Sequence, residues 1–320
     1  MSTLACLRTP SLEAGWRRVR TSLLAGLVFQ ISTGASMAAT TPSTPEPRVA
    51  HCTGRFDYAL PPTLVSSGSR QSIYLLDVAA VPWLPGFGAG EAWKKRLATA
   101  VTPKAGSTAT PAPARQFDLQ GVGPAAWLQL YADRPDLITL LAMRPVPITN
   151  QSLFLRAEAS TGREQLAQNL VADVASKYAP SSAQGFCAGA GAFVIEPSMN
   201  ERAIESFAAP GVELSVQTET VTKPDDGQSS AGDPPPGGKE LLKHKRSVAG
   251  FEGIEERVQL PDDVVGTRLV YTWIFAGRAA DGSAPRIRLS ASGIVSHAAL
   301  LDTAWNALLA SLRARPVGVR

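Results

Sequence analysis

The stretch AAWLQLYADRPDLITLLAM, residues 125–143, decides the fold class. Ala125 to Tyr131 and Leu137 to Met143 are two apolar runs. Between them Ala132-Asp133-Arg134-Pro135-Asp136 is turn chemistry, because proline presets φ and aspartate bonds its own backbone. The spacing predicts an antiparallel hairpin. Upstream, Arg55 to Leu60 alternates as a strand until Pro61-Pro62 stops it, and Ser72 to Val81 is predicted as one largely apolar strand. Ala89 to Val101 sets Ala92, Trp93, Leu97 and Val101 at helical spacing, with Lys94, Lys95 and Arg96 elsewhere on the helix surface. Downstream, a strand from Ser152 to Ala159 leads into a second helix. Thr161 and Glu164 occupy the positions of a capping box, and Leu166, Leu170, Val174 and Tyr178 repeat along its expected core face.

The second half carries more strand. Gly185 to Ile195 and Val212 to Thr222 read as sheet, Gly253 to Leu260 and Thr267 to Ala276 as an antiparallel pair, and Arg286 to Ala291 as a further strand. A last helix, Ser296 to Arg313, is expected to bury Leu300, Ala304, Trp305, Leu308 and Leu312. Blocks of antiparallel strands with few helices predict the α+β class, as two domains that are each a mostly antiparallel sheet with one or two packed helices. The expected domains are 39–180 and 181–320, with Pro180-Ser181-Ser182 opening the linker. Residues 223–239 form a flexible Pro, Gly, Ser and Asp excursion, and Thr102 to Ala114 a surface loop.

Residues 1–38 have the layout of a cleavable signal peptide. Arg17, Arg18 and Arg20 precede the apolar run Leu23 to Ile31, and Ala35-Ser36-Met37-Ala38-Ala39 supplies small residues for cleavage after Ala38. Export to an oxidising, extracytoplasmic compartment follows as the expectation. Removing four arginines and one glutamate takes the formal charge from +4 to +1. A nearly neutral protein has no electrostatic reason to seek nucleic acid or anionic lipid, and the basic run Lys239 to Arg246 reads as a solvated face. No second apolar stretch is long enough for a membrane-spanning helix, so no stable membrane insertion is expected after cleavage. Cys52 and Cys187 are the two cysteines left, and an oxidising compartment predicts a disulfide between them. The alternative is two separate buried thiols.

Motifs for chemistry are missing from the mature sequence. It has no Gly-x-Ser-x-Gly elbow, and His51, His244 and His297 are too dispersed in sequence to suggest a metal pair. Gly185-Phe186-Cys187-Ala188-Gly189-Ala190-Gly191 lacks dinucleotide-loop spacing and runs into a strand. Glu255 and Glu256 are consecutive and face opposite ways on a strand. The tryptophans Trp83, Trp93, Trp127, Trp273 and Trp305 are expected in the core. These readings predict a protein that is not an enzyme, with no catalytic residues, cofactor or metal.

Two stretches carry a family resemblance. Cys52-Thr53-Gly54-Arg55-Phe56, running on to Leu60-Pro61, resembles the opening of the first domain of the class-four immunity proteins to type VI secretion lipase effectors. The ordered set Gly185-Phe186-Cys187, Leu241-Leu242, Gly250-Phe251-Glu252-Gly253, Tyr271-Thr272-Trp273 and Pro285-Arg286-Ile287 is similar to that family's C-terminal domain. Gly253-Ile254-Glu255-Glu256 departs from the expected Gly-Glu-Glu, as does the long excursion before Lys239. The resemblance implies a periplasmic antidote that binds a phospholipase effector, encoded by an adjacent gene, and keeps it inactive. Phe251, Glu252 and Glu255 are candidate partner contacts, since a Gly-flanked segment can project from a sheet edge; a turn shaped only by its glycines is the competing reading. The competing function is a periplasmic lipid carrier, or an enzyme with no recognisable motif.

Overall fold

A computed structural model describes residues 47–101, 115–130, 134–198, 200–222, 237–262, 264 and 266–317. The expected signal peptide, the Ala and Pro tract before Arg115, and most of the 223–239 excursion lie outside these residues. In chain order the elements are β1 (Val49–Thr53), β2 (Phe56–Leu60), β3 (Val65–Ile73), β4 (Leu76–Pro82), α1 (Ala89–Val101), β5 (Arg115–Leu119), β6 (Gly123–Leu128), β7 (Leu137–Val146) and β8 (Gln151–Ser160). After these come α2 (Glu164–Ser176), β9 (Tyr178–Pro180), β10 (Phe186–Ala188), β11 (Gly191–Phe193), β12 (Glu201–Ala209) and β13 (Val212–Glu219). The chain closes with β14 (Lys239–Val248), β15 (Phe251–Asp262), β16 (Gly266–Phe275), β17 (Arg286–Ile294), α3 (Ala298–Ser311) and β18 (Arg313–Ala314). The class is α+β, as the sequence predicts.

Twelve strands form one sheet in the order β14-β15-β16-β17-β13-β12-β3-β4-β8-β7-β6-β5. Every neighbouring pair in it is antiparallel. Two three-stranded sheets, β1-β2-β18 and β10-β11-β9, pack against it. Strand β7 explains the deciding stretch. Leu140 and Ala142 face α2 in one core, while Leu141 and Met143 face α1 in another, so both sides are covered and the run is apolar throughout. Helices α2 and α3 lie over the same side of the sheet, above separate cores. Ala203 of β12 belongs to the α2 core and Phe207, on the same side of that strand, to the α3 core.

The cores under α2 and α3 each draw on both halves of the sequence. Phe56, Tyr58, Leu60 and Leu64 pack with Trp273, Trp305 and Leu308, while Phe186, Phe193 and Ile195 pack with Ile73, Leu155 and Val174. The predicted 125–143 hairpin forms, with Ala125 opposite Ala142 and Leu128 opposite Thr139.

Several local expectations are corrected. Ser72 to Val81 is a hairpin rather than one strand, because the chain reverses at Tyr74 and Leu75, whose φ values are +51° and +69°. Such a turn usually takes Asn or Gly, so nothing in the sequence flagged it. Gly185 to Ile195 likewise folds back on itself as β10 and β11. The capping box does not form: Arg163 is the N-cap residue without a side-chain bond, and the Thr161 hydroxyl donates to the Asp136 carbonyl. The buried face of α2 is Ala167, Val171, Val174 and Ala175, and Leu166 is 64% exposed. Small side chains let the helix settle close to the strands, which outweighs burying two leucines. In α3 the buried position is Leu301, with Leu300 only partly covered. Trp83 and Trp127 are half-buried, unlike the other three tryptophans considered. The basic run from Lys239 is solvent-exposed as expected, but as the edge strand β14.

The Cys52–Cys187 bridge forms, with the Cα atoms 6.2 Å apart and a sequence separation of 135. A loop of that length should restrict the unfolded chain by roughly 3–5 kcal/mol. The Cys52→Ser/Cys187→Ser variant is therefore expected to unfold at clearly lower urea concentration than the oxidised protein. An unchanged midpoint would mean that the bridge adds nothing to stability.

Candidate partner-binding site

The segment Cys52 to Phe56 sits where the two cores meet, and each residue has a separate reason to be there. Cys52 is bonded to Cys187 of β10, and the Gly54 carbonyl accepts the Cys187 amide at 2.7 Å. Gly54 has φ of +58°, and a Cβ there would lie 2.6 Å from the Thr218 hydroxyl, so no larger residue fits without displacement. Arg55 is buried and meets the buried Glu201 in two parallel bonds, Nε to Oε2 and Nη2 to Oε1, both 2.7 Å. Its Nη2 also donates to the Ile195 carbonyl at 3.1 Å. Phe56 fills the α3 core. The C-terminal segment closes over this knot, with the Arg315 amide donating to the Arg55 carbonyl and its guanidinium to Asp57 at 2.8 Å.

Beside the knot a cleft of about 570 Å³ opens between β1, β3, β4 and the seam strand β12. Its floor is Glu205, which lies between Ala203 and Phe207 and so between the two cores. The Glu205 carboxylate accepts bonds from the Thr53 hydroxyl at 2.8 Å, from the Tyr58 hydroxyl at 3.1 Å and from Ser66 at 3.5 Å. Burial, then the Glu205 charge, pushes the Tyr58 phenol far up, so it stays a neutral donor to that carboxylate. His51 lines the cleft with its ring edge-on to Phe207 at 4.7 Å, and its buried Nε2 has no hydrogen-bond partner. Desolvation lowers its pKa, against the pull of Glu205, which favours the neutral ring. His51, Ser66, Ser69, Gln71 and Glu205 share this lining with the small apolar side chains of Ala50, Val78, Ala79, Ala80 and Val81, so the cleft is of mixed character.

The Gly-flanked segment forms the tip of the β14–β15 hairpin. Ala249 and Gly250 take φ of +55° and +82° at the turn. A Cβ on Gly253 would press within 2.5 Å of the Trp273 ring, so this glycine makes room for the indole. Phe251 is half-buried against Phe275 at 4.8 Å and Phe56 at 6.0 Å, while Glu252 is exposed. Glu255 is placed differently from its neighbours. Its side chain is fully buried and accepts from Arg246 Nη1 at 2.6 Å, Arg257 Nε at 2.9 Å and Trp305 Nε1 at 2.9 Å. Arg257 in turn stacks on Tyr271, 4.7 Å from the ring centre, and reaches Asp302 at 3.4 Å. Glu255 thus fixes two arginines and α3 and presents nothing of itself to a partner. Glu256 points to the other side of the sheet, 3.3 Å from Lys243.

Of the histidines, His244 lies 3.8 Å from Glu255, and His297 sits against Gly211 at the start of α3. No group of three or more potential metal ligands occurs among the described residues. Sequence reasoning missed Arg55–Glu201, Glu205, and the two arginines on Glu255. No local pattern gave the signal, because Arg55 stands in a turn beside Gly54 and Asp57 and its acid lies 146 residues away.

Breaking the Arg55–Glu201 pair from one side should cost about 3–5 kcal/mol, because the remaining charge is left buried alone. Arg55→Met is expected to lose that much in urea unfolding, and Arg55→Met/Glu201→Leu to recover most of it. A double variant as unstable as the single one would show that the arginine packs rather than pairs.

Acid titration gives a second check. Burial alone would raise the pKa of Glu255, yet its bonds from Trp305, Arg246 and Arg257 outweigh that and hold it below its ordinary value of 4.5. A depressed folded pKa adds stability that is complete above the unfolded value and is lost as pH falls through the folded one. The stability gap between the protein and Glu255→Gln should be widest near neutral pH and narrow below about 4.5. A gap independent of pH would mean that the carboxylate charge is not what matters.

No family model matches the chain, and no curated protein matches it. Solved structures with the same fold include the apo structure of the immunity protein TplEi of the type VI secretion system (T6SS) from Pseudomonas aeruginosa. It superposes with a TM-score of 0.61 at 19% identity, over 84% of this chain and 98% of that one. A chain of the Tle4–Tli4 complex gives 0.61 at 18% identity over the same shares. TplEi complexed with "L" peptide gives 0.56 at 17%, again over 84% and 98%. The chain therefore has the fold of T6SS immunity proteins along nearly the whole length of theirs.

Proposed function

We propose that this protein is a periplasmic immunity protein that binds and inhibits a type VI secretion phospholipase effector encoded by an adjacent gene, without catalysis of its own. The observation that carries the reading is the shared fold over 98% of an immunity protein's length, together with the motif residues of Cys52 to Phe56 forming the disulfide, the tight turn, the buried ion pair and the core contact at the seam. A bridge between Cys52 and Cys187 supports an oxidising compartment, and the signal-like residues 1–38 support export.

The two domains are best drawn around the two cores, with β2 assigned to the α3 lobe and the β9–β11 sheet to the α2 lobe. A partner segment gripped at the cleft would touch both lobes at once. At the β14–β15 tip, Phe251 and Glu252 are proposed as direct contacts, and Glu255 as the group that holds Arg246 and Arg257 in place for them. Tight inhibition of this kind needs an interface of roughly 2,000 Å² with a few aromatic or arginine anchors.

The test is titration of the neighbouring phospholipase with purified mature protein, alongside a binding isotherm. Stoichiometric loss of lipase activity with nanomolar affinity is the expected result, and absence of binding would end the proposal. Phe251→Ala/Glu252→Ala should weaken binding about 10-fold or more if the tip is a hot spot. Unchanged affinity would remove these two residues from the interface and leave the function itself standing.

A further inference from the structure

The second side of the large sheet is where the fold leaves something unexplained. Helix α1 covers this side only over β6, β7 and β8, through Trp93 packed on Leu128, Leu141 and Phe154. From β4 across to β14 no helix lies on it among the described residues. Strand register gives the order of side chains there. Arg70 of β3 is opposite Ile204 of β12, Ile204 opposite Gln217 of β13, and Gln217 opposite Arg288 of β17. Arg202 precedes Ile204 by two residues and therefore shares its side. Three arginines are thus displayed across four adjacent strands, within roughly 15 Å at a strand spacing of about 4.8 Å.

These arginines differ from every other arginine given a role above. Arg55, Arg246, Arg257 and Arg315 each meet a carboxylate within 2.9 Å. Arg70, Arg202 and Arg288 are exposed, and among the described residues none has a carboxylate within 4.0 Å or any side-chain hydrogen bond. Arg202 and Arg288 line one shallow groove with Ile204, Gln217 and Glu219. Glu219 is the single acid lining that groove. Next to it, Ser206, Ser215 and Ser290 form a hydroxyl row along the floor of a second, wider depression. A mature charge near +1 makes this a local excess and not a sign of general basicity.

We infer that this open side of the sheet, centred on Arg70, Arg202 and Arg288, is a docking surface for a carboxylate-rich face of the effector protein. The inference rests on the proposed antidote function and adds a second contact surface, on the side of the sheet opposite the seam cleft. Charge complementarity supports the partner's chemistry: among the described residues none of the three guanidiniums reaches a carboxylate within 4.0 Å, although Glu219 lies opposite Arg202 on the neighbouring strand, and arginine presents a planar fork that matches carboxylates in two bonds. Shape supports a protein over a membrane. A twelve-stranded antiparallel sheet twists by about 20–25° per strand, so this surface is a curved saddle that follows a folded partner and not a flat bilayer.

The experiment starts from the full-length mature protein and the neighbouring phospholipase. Failure of the unmodified protein to bind would refute the antidote function, and the docking surface with it. If it binds, Arg70→Glu/Arg202→Glu/Arg288→Glu should lose about 30-fold or more in affinity, and the remaining binding should vary less with salt than that of the parent. Urea unfolding of the variant should fall only slightly below the parent, from the like charge that Arg202→Glu sets opposite Glu219, since none of the three side chains has an ion pair to lose. Should the triple variant fold poorly, Arg202→Glu and Arg288→Glu are measured singly, each with an expected loss of several-fold. Affinity unchanged within two-fold in a folded variant overturns the inference while leaving the antidote function intact. So does a variant that keeps effector affinity but loses binding to vesicles of anionic phospholipid, which would assign the arginines to lipid headgroups.

Discussion

The paired burial of Arg55 and Glu201 is the constraint on which the rest of the arrangement hangs. Taking an arginine and a glutamate out of water costs several kcal/mol each, and only a two-bond geometry with further donors brings that back. Here the further partners are the Ile195 carbonyl on Arg55 and the Ser198 amide on Glu201. The pair holds β1 and β2 against a point nearly 150 residues later. Because Cys52 is tied to Cys187 and Phe56 belongs to the α3 core, the four bonds between Cys52 and Phe56 span the seam. Any relative shift of the two lobes would have to break the ion pair, strain the disulfide or expose Phe56. A rigid seam is what a gripping protein needs, since a partner held between mobile lobes would have to order them on binding and lose affinity in doing so.

Glu205 follows from that rigidity. One side of β12 supplies Ala203 to one core and Phe207 to the other, and the residue between them has no core to join. A hydrophobic side chain there would merge the two cores and fill the cleft. A carboxylate instead collects Thr53, Tyr58 and Ser66, tying β1, β2 and β3 to the seam strand and leaving a polar hollow above it. The cleft is thus produced by the way two cores share one strand.

Much of the fold was legible because periodicity carries it. The 125–143 hairpin, α1, α3 and the β15–β16 pair follow from apolar spacing and turn residues, and the bridge follows from the two cysteines left once residues 1–38 are read as a signal. What stayed hidden has physical reasons. The reversal at Tyr74-Leu75 uses residues that disfavour positive φ and is held by its neighbours, including the Tyr74 amide on the Asn200 carbonyl. The core face of α2 slipped because alanines outcompete leucines where a helix must approach a sheet closely. Strand β12 mixes Glu201, Arg202 and Glu205 with alanines, a pattern that makes sense only once its partners from distant segments are known. For the site, the motif residues were visible but their roles were not: Glu255 looks like a surface acid until Arg246, Arg257 and Trp305 converge on it from three other positions of the fold.

The distribution of arginines divides the molecule by task. Those under the helices are neutralised at short range, and their removal would leave buried acids without a partner. Arg70, Arg202 and Arg288 on the open side meet no carboxylate within 4.0 Å among the described residues, so no buried acid depends on them. Exposed positions on a sheet tolerate serine or threonine at least as well as arginine, and the neighbouring strands use those residues in the row Ser206, Ser215 and Ser290. Three unpaired guanidiniums repel one another, which destabilises the isolated protein slightly. Their presence is accounted for by a state other than the isolated one, in which another molecule supplies the opposing charge.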